Sequence, residues 1–262
     1  MGSILTAVIL FTSLGLVCAL TLIIASKAMH VPVDERVAQM REHMPGANCG
    51  ACGYSGCDAY ATALVKGNVS MSLCAPGGDK LVEHLASILG TAPGESVHKR
   101  FAVVHCMGDR DTARNKMEYV GIRTCIAAKQ LFGGQGACTF GCIGYGDCTS
   151  ACLNDAICIE NGLARIDTRK CNGCGLCVKA CPNGVITTQY EPVTVAVMCM
   201  NTERGAQLKD KCSSGCIGCT RCVRECPSEA ISVNDSLASI DYDRCTGCGK
   251  CAEVCVKKCI SA

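Results

Sequence analysis

From Cys216 to Pro227 the chain spells CxxCxxCxxxCP, with cysteines at 216, 219, 222 and 226, and the spacing returns at Cys245, Cys248, Cys251 and Cys255. Three thiolates two residues apart each take one corner of an iron-sulfur cubane, while the fourth, further on, points away and ligates the other cluster of a pair. This spacing assigns Cys216, Cys219, Cys222 and Cys255 to one [4Fe-4S] cluster and Cys245, Cys248, Cys251 and Cys226 to a second. Zinc competes for CxxC pairs, but a zinc site closes with four ligands and needs no interleaved fourth cysteine followed by proline. A disulfide framework fits worse, because CxxC neighbours are poor bridging partners and no secretory cleavage signature is present.

Composition points the same way. The 262 residues include 27 Cys and 28 Gly but no Trp and only four Phe, too little for an ordinary large core. Metal clusters must supply much of the folding free energy. Since each four-thiolate cubane adds roughly two negative charges, five of them would take the formal charge of +2 to about −8. There is no basic run either, so a nucleic-acid role has no support.

Towards the N-terminus, Ile4 to Ala25 carries no charge and is dominated by Leu, Ile, Val and Ala, enough to span a bilayer as a helix. No Lys or Arg precedes Lys27, unlike a signal peptide. Lys27, Arg36 and Arg41 follow the span, so the positive-inside rule puts the N-terminus outside and the remainder in the cytoplasm, where exposed clusters and thiols stay reduced. Cys18 reads as a small apolar residue within the span. Pro32 breaks the exit, and Asp34 to Met44 reads as a short polar helix.

Cys49, Cys52 and Cys57 then sit in a Gly-rich loop, and Cys74 follows a helix-like stretch from Asp58 to Lys66. CxxCxxxxC with a distant fourth cysteine suits a single cubane whose glycines let backbone N–H groups approach sulfur, with zinc as the competing reading. Asp79 to Leu89 reads as an amphipathic helix, apolar at Leu81, Leu85, Ile88 and Leu89 and ended by Gly90. Its His84 is expected to face solvent. Thr91 to Ser96, with Pro93 and Gly94, is the expected linker.

The second half repeats itself. Gly141-Cys142-Ile143-Gly144-Tyr145-Gly146-Asp147-Cys148 with Cys152 aligns with Gly215-Cys216-Ile217-Gly218-Cys219-Thr220-Arg221-Cys222 with Cys226, and Tyr145 stands where Cys219 stands. Cys138 and Cys212 precede the two copies at one interval. The expected ligands of the first copy are therefore Cys138, Cys142, Cys148 and Cys181, with a partner cluster on Cys152, Cys171, Cys174 and Cys177. In the second copy Cys219 keeps the usual spacing and Cys212 is left over. Phe101–Cys106 parallels Val193–Cys199, and both read as strands. Cys106, Cys199, Cys125, Cys158 and Cys259 read as buried thiols, and His105 as structural; a sixth cluster, if one existed, would draw on Cys106, Cys125, Cys199 and Cys212.

An apolar anchor, CxxCxxxxC with a late fourth cysteine, and tandem ferredoxin motifs in this order resemble the B subunits of Rnf complexes, membrane ferredoxin:NAD oxidoreductases that couple electron transfer to Na⁺ or H⁺ transport. The resemblance covers essentially the whole chain. It implies a subunit that takes electrons from reduced ferredoxin on the cytoplasmic side and passes them towards membrane and flavin-containing subunits. Val256, where a proline is expected, and Cys259, at a usually small apolar position, depart from the pattern and leave every ligand intact.

The expected architecture is α+β: an anchor (1–27), a small helical single-cluster domain (28–92), and two ferredoxin-like two-cluster modules (97–191 and 192–262). Five [4Fe-4S] clusters on the twenty cysteines assigned above are expected. No dinucleotide fingerprint, P-loop or nucleophile with a base is legible, so NAD chemistry and ion transport are expected on partners. Two other classes share these motifs: a polyferredoxin that keeps a redox-sensing regulator reduced, and a stand-alone membrane electron store.

Overall fold

The computed structural model describes residues 2–28, 34–67, 69–93, 96–97, 99–190 and 195–262. Helix α1 (Gly2–Ala28) is exposed along the part of its length whose side chains are described. Its segment Val8–Lys27 is long and apolar enough to cross a membrane. Three hydroxyls inside that segment bond within the helix itself: Thr12 donates to the Val8 carbonyl at 2.8 Å, Ser13 to that of Leu10 at 3.0 Å and Thr21 to that of Cys18 at 2.8 Å. Such back-bonding lets polar side chains lie in hydrocarbon. The expected break at Pro32, most of the linker's Pro-Gly turn, and the boundary at 191–192 fall on or beside residues outside the described set.

Three helices, α2 (Glu35–His43), α3 (Cys57–Val65) and α4 (Gly78–Leu89), form the next unit. Asp34 caps α2, accepting from the Arg36 N–H at 2.9 Å. Apolar residues of α4 recur at helical spacing and bury Leu81 and Leu85 against Met40, Tyr60 and Leu64. Gly90 ends α4 in the left-handed region (φ +66°) and donates to the Ala86 carbonyl. His84 is exposed and stacks on His43, with ring centroids 4.6 Å apart.

The remaining chain builds the same topology twice. The first unit comprises β1 (Arg100–Val104), α5 (Cys125–Gln130), α6 (Asp147–Ser150), β2 (Ile157–Glu160), β3 (Leu163–Ile166), α7 (Leu176–Ala180) and β4 (Ile186–Tyr190). The second comprises β5 (Ala196–Val197), α8 (Gly205–Leu208), α9 (Arg221–Arg224), β6 (Ile231–Asn234), β7 (Leu237–Ile240), α10 (Lys250–Glu253) and β8 (Ile260–Ser261). In each unit the first strand pairs antiparallel with the last, as β1 with β4 and β5 with β8, while the middle two form a hairpin. Two-stranded sheets bury little on their own. Accordingly the core beneath each pair is rich in cysteine: Cys148 and Cys177 lie among Ile157, Leu163 and Val185, and Cys216, Cys222 and Cys251 among Ile231, Ile240 and Ile260.

The hairpin turns fix two glycines. Asn161-Gly162 between β2 and β3 has both residues at positive φ, the usual two-residue hairpin turn, and Asp235-Ser236 repeats it between β6 and β7. Each turn leans on a glycine beside the first cluster cysteine. A Cβ on Gly144 would meet the Gly162 carbonyl oxygen at 2.2 Å, and one on Gly218 the Ser236 backbone at 2.9 Å. Both glycines are also left-handed, at φ +83° and +66°. Gly144→Ala should therefore lower stability by about 2 to 5 kcal/mol, combining backbone strain with overpacking. Gly53→Ala, at φ +87° with open space around it, should cost only the strain, about 1 to 2 kcal/mol. Unfolding midpoints of the metal-loaded chain compare the two, and equal losses would show that the hairpin contact does not constrain Gly144.

The two units meet through His105. Its Nδ1 donates to the Val197 carbonyl at 2.6 Å, which leaves Nε2 to accept from the Thr187 hydroxyl at 2.7 Å. This is the structural role expected for it.

Candidate metal centres

All 27 cysteines are unbridged, and most of them gather in groups. In the helical unit, Cys49, Cys52 and Cys57 lie on the loop entering α3, and Cys74 sits between the 3-10 turns Met71–Leu73 and Ala75–Gly77. Asn48 closes the loop, its Oδ1 accepting from the Cys57 N–H at 2.9 Å. Burial pushes the Cys74 thiol up to about 11, with Cys52, Cys57 and Cys49 adding like-charge repulsion. Burial also raises the Tyr60 hydroxyl, aided by Cys74 and Cys52, so this ring covers the sulfurs while its O–H donates to the Ser70 carbonyl at 2.8 Å.

Cys152, Cys171, Cys174 and Cys177 line one small cavity beneath α7. The Ala102 N–H donates to the Cys171 sulfur at 3.4 Å and the Ala156 N–H to that of Cys152 at 3.4 Å. Burial, then Cys171 and Cys174, push Cys177 up to about 12. The second unit copies this arrangement: the Ala230 N–H donates to the Cys226 sulfur at 3.3 Å, and burial raises Cys251, with Cys245 and Cys226 as charged neighbours. Cys248 lies exposed on the same turn as Cys245 and Cys251. Cys216, Cys219, Cys222 and Cys255 line a further cavity, and burial, then Cys216, Cys219 and Cys255, push Cys222 up to about 11. Cys259 joins them, fully buried; a thiol hydrogen bond between it and Cys216 pushes Cys259 up and Cys216 down.

In the first copy the thiols that lie together differ from those expected to share a cluster. Around Cys142, Cys148 and Cys181 the fourth thiol is Cys125, not Cys138: these four line one cavity, and Cys125 is the leading charged neighbour of Cys148. Cys125 opens α5, where its N–H and that of Ile126 donate to the Asp147 carboxylate at 2.7 and 3.0 Å. Cys138 lies on the far side of Cys142, facing Cys106 and Cys212. Tyr145, in the vacant ligand position, instead donates its hydroxyl to Gln135. A signal for Cys125 was present. From Cys106 to Cys142 there are 36 positions, against 17 from Cys199 to Cys216, and the extra segment that brings Cys125 belongs to the copy that lacks a cysteine at 145. Cys158 differs too: it is exposed on β2, not buried.

The donor sets fit iron-sulfur cubanes. Each is built of thiols alone, softened by backbone N–H donors, and buried thiols held protonated near 11 become thiolates only against a strong cationic charge. Among the described residues no three His, Cys, Asp or Glu stand close enough to hold a single metal ion.

Comparison with known proteins agrees. Residues 44–76 match the Fe-S cluster family model, residues 164–187 the 4Fe-4S binding domain, and residues 208–256 the 4Fe-4S dicluster domain. The chain is 42% identical over 248 residues to the B subunit of the Na⁺-translocating ferredoxin:NAD⁺ oxidoreductase complex of Acetobacterium woodii, covering 94% of this chain and 74% of that one. It is 37% identical to the B subunit of the proton-translocating ferredoxin:NAD⁺ oxidoreductase complex of Clostridium ljungdahlii, covering 94% and 87%. It is 36% identical to the B subunit of the ion-translocating oxidoreductase complex of Methanosarcina acetivorans, covering 92% and 91%. The chain belongs to the family of ion-translocating oxidoreductase B subunits.

Within this family member the cysteine groups follow one another in space. Cys49 is a charged neighbour of Cys174, and the Lys179 ammonium donates to the Cys49 carbonyl. Cys148 neighbours Cys177, and Cys142 donates its N–H to the Cys106 sulfur. The Cys216 N–H does the same to Cys199. An ion-translocating oxidoreductase chain so arranged carries thiol groups from the helical unit to the C-terminal hairpin.

Proposed function

We propose that the chain is the electron-transfer subunit of a membrane-bound Rnf-type complex, taking electrons from reduced ferredoxin towards NAD⁺ reduction coupled to Na⁺ or H⁺ translocation. The observation that carries this is the unbroken succession of cysteine groups. Bound [4Fe-4S] clusters supply one-electron redox chemistry at potentials set by charge, hydrogen bonds and solvent exposure. The chain's own residues hold those settings. Main-chain N–H groups of Ala102, Ala156 and Ala230 donate to sulfur, which favours added negative charge and raises a potential. Cys248 and Cys219 are exposed, opening the C-terminal unit to a soluble donor. Cys74 is buried under Tyr60 in the unit that follows α1.

In this reading α1 crosses the inner membrane once with its N-terminus outside, and the cysteine units lie in the cytoplasm. Ferredoxin meets the C-terminal unit, and the Cys49 to Cys74 group delivers electrons to membrane and flavin-containing subunits. Cys74→Ser tests both role and direction. In complex purified anaerobically from its own membranes, ferredoxin should still reduce the C-terminal groups while NAD⁺ reduction falls to background. Loss of that reduction with onward transfer kept would reverse the order. Wild-type chain eluting alone and inactive, from membranes that had the activity, would sink the reading.

A further inference from the structure

We propose that Cys106, Cys138, Cys199 and Cys212 form a further [4Fe-4S] site at the junction of the two repeat units. Two ligands come from each unit, at matching positions of the repeat. Cys106 follows β1 and Cys199 follows β5, while Cys138 and Cys212 each lie four residues before the first cysteine of their copy.

Several contacts draw them together. Cys106 has Cys138 as a charged neighbour, Cys199 has Cys106, and Cys212 has Cys138. A Cβ on Gly108 would meet the Cys212 sulfur at 3.4 Å and the Cys106 sulfur at 3.7 Å. A Cβ on Gly141 would meet Cys106 and Cys138 at 3.7 and 3.8 Å. Two glycines thus leave bare the walls of one cavity lined by all four thiols, as expected where backbone must approach an inorganic group. That cavity holds about 100 Å³, against about 20 Å³ at each first-cluster cavity of the two units.

The sulfurs are also supplied with donors in a two-fold pattern. The Cys142 N–H donates to Cys106 at 3.4 Å, and its repeat counterpart, the Cys216 N–H, to Cys199 at 3.3 Å. The Gly108 N–H adds a second donor to Cys106 at 3.4 Å. Asn201, 1% exposed, aims its side-chain N–H at the Cys138 sulfur at 3.2 Å and is held by Glu203, whose N–H donates to Asn201 Oδ1 at 2.7 Å. A buried amide spent on a thiol is what a thiolate ligand needs and a stray thiol does not. Main chain pairs the units beside the cavity, with the Arg114 N–H donating to the Lys211 carbonyl and the Ser213 N–H to that of Thr112, both at 2.9 Å.

The position gives the site its use. It lies between the Cys142 group and the Cys216 group, where the run of cysteine groups passes from one unit to the other. A cubane here accepts one electron from one neighbouring cluster, which is oxidised by one, and returns it to the other, with no bond or proton transferred. The inference concerns occupancy, and it stands whichever partners the chain serves.

Native mass spectrometry of the full chain in detergent, reconstituted anaerobically with ferrous iron and sulfide, counts clusters as integers. Six per chain are expected, about 24 iron and 24 sulfide at four per cubane. Cys106→Ala and Cys199→Ala should each reduce the count by one, and Cys158→Ala, at an exposed position, should leave six. A wild-type count of five, or five with one zinc, overturns the proposal even if both variants fail to fold. So does a count of six that neither variant lowers.

Discussion

Cys138→Ala/Cys142→Ala is expected to perturb two cubanes, and Cys125→Ala/Cys142→Ala only one. Ligands of one cluster are redundant once that cluster is lost, whereas ligands of different clusters add, the logic of any double-mutant comparison. Cys125 and Cys142 line the same cavity with Cys148 and Cys181, whereas Cys138 faces Cys106 and Cys212. At full loss the first pair removes about eight irons and the second about four. Mössbauer area of intact cubane iron reads the difference. The repeat alignment, which puts Cys138 and Cys142 on one cluster and leaves Cys125 off it, expects about four irons lost from either pair, and equal losses would return the fourth ligand to Cys138.

Stripping the iron is expected to unfold the two repeat units while leaving part of the helical unit folded. Below β1–β4 and β6–β7 much of the core is thiol, and two-stranded sheets are marginal alone. Structural metal sites contribute on the order of 10 kcal/mol each, comparable with the whole stability of a domain at about 5 to 15 kcal/mol. The helical unit differs, since Met40, Tyr60, Leu64 and Leu85 are fully buried against one another. After chelation, amide exchange should lose protection across β6–β7 and keep some in α4. Retention of cooperative unfolding by the repeat units, within a few degrees of the loaded protein, would show that their protein core suffices. Acid should assist the stripping. Without metal, burial holds Cys74, Cys142 and Cys222 protonated up to about 11, so loading releases protons and iron affinity weakens as pH falls.

The family and the character of the site were legible in the sequence because cubane ligation is written in local spacing. Cys216, Cys219 and Cys222 fall on one turn that the backbone closes by itself, and the interleaved Cys255 follows from the internal symmetry of the motif. The amphipathic α4 with Gly90 at its end was equally local, set by helical periodicity and a left-handed cap. The pairing of β1 with β4 and β5 with β8 was not written that way, since 82 to 90 positions separate the partners of the first pair and 63 to 65 those of the second. Nor was the choice between Cys125 and Cys138. Cys138 keeps the repeat's four-residue interval to the first cysteine and Cys125 has no counterpart in the second copy, and only the path of the inserted segment, clamped through Asp147 to the start of α5, brings Cys125 to Cys148. The same path frees Cys138 to meet Cys106 and Cys212. Sequence alone determined the kind of ligand and the local loops, because those depend on neighbours along the chain; tertiary structure decided which distant thiols lie together, because that depends on how the two repeat units pack.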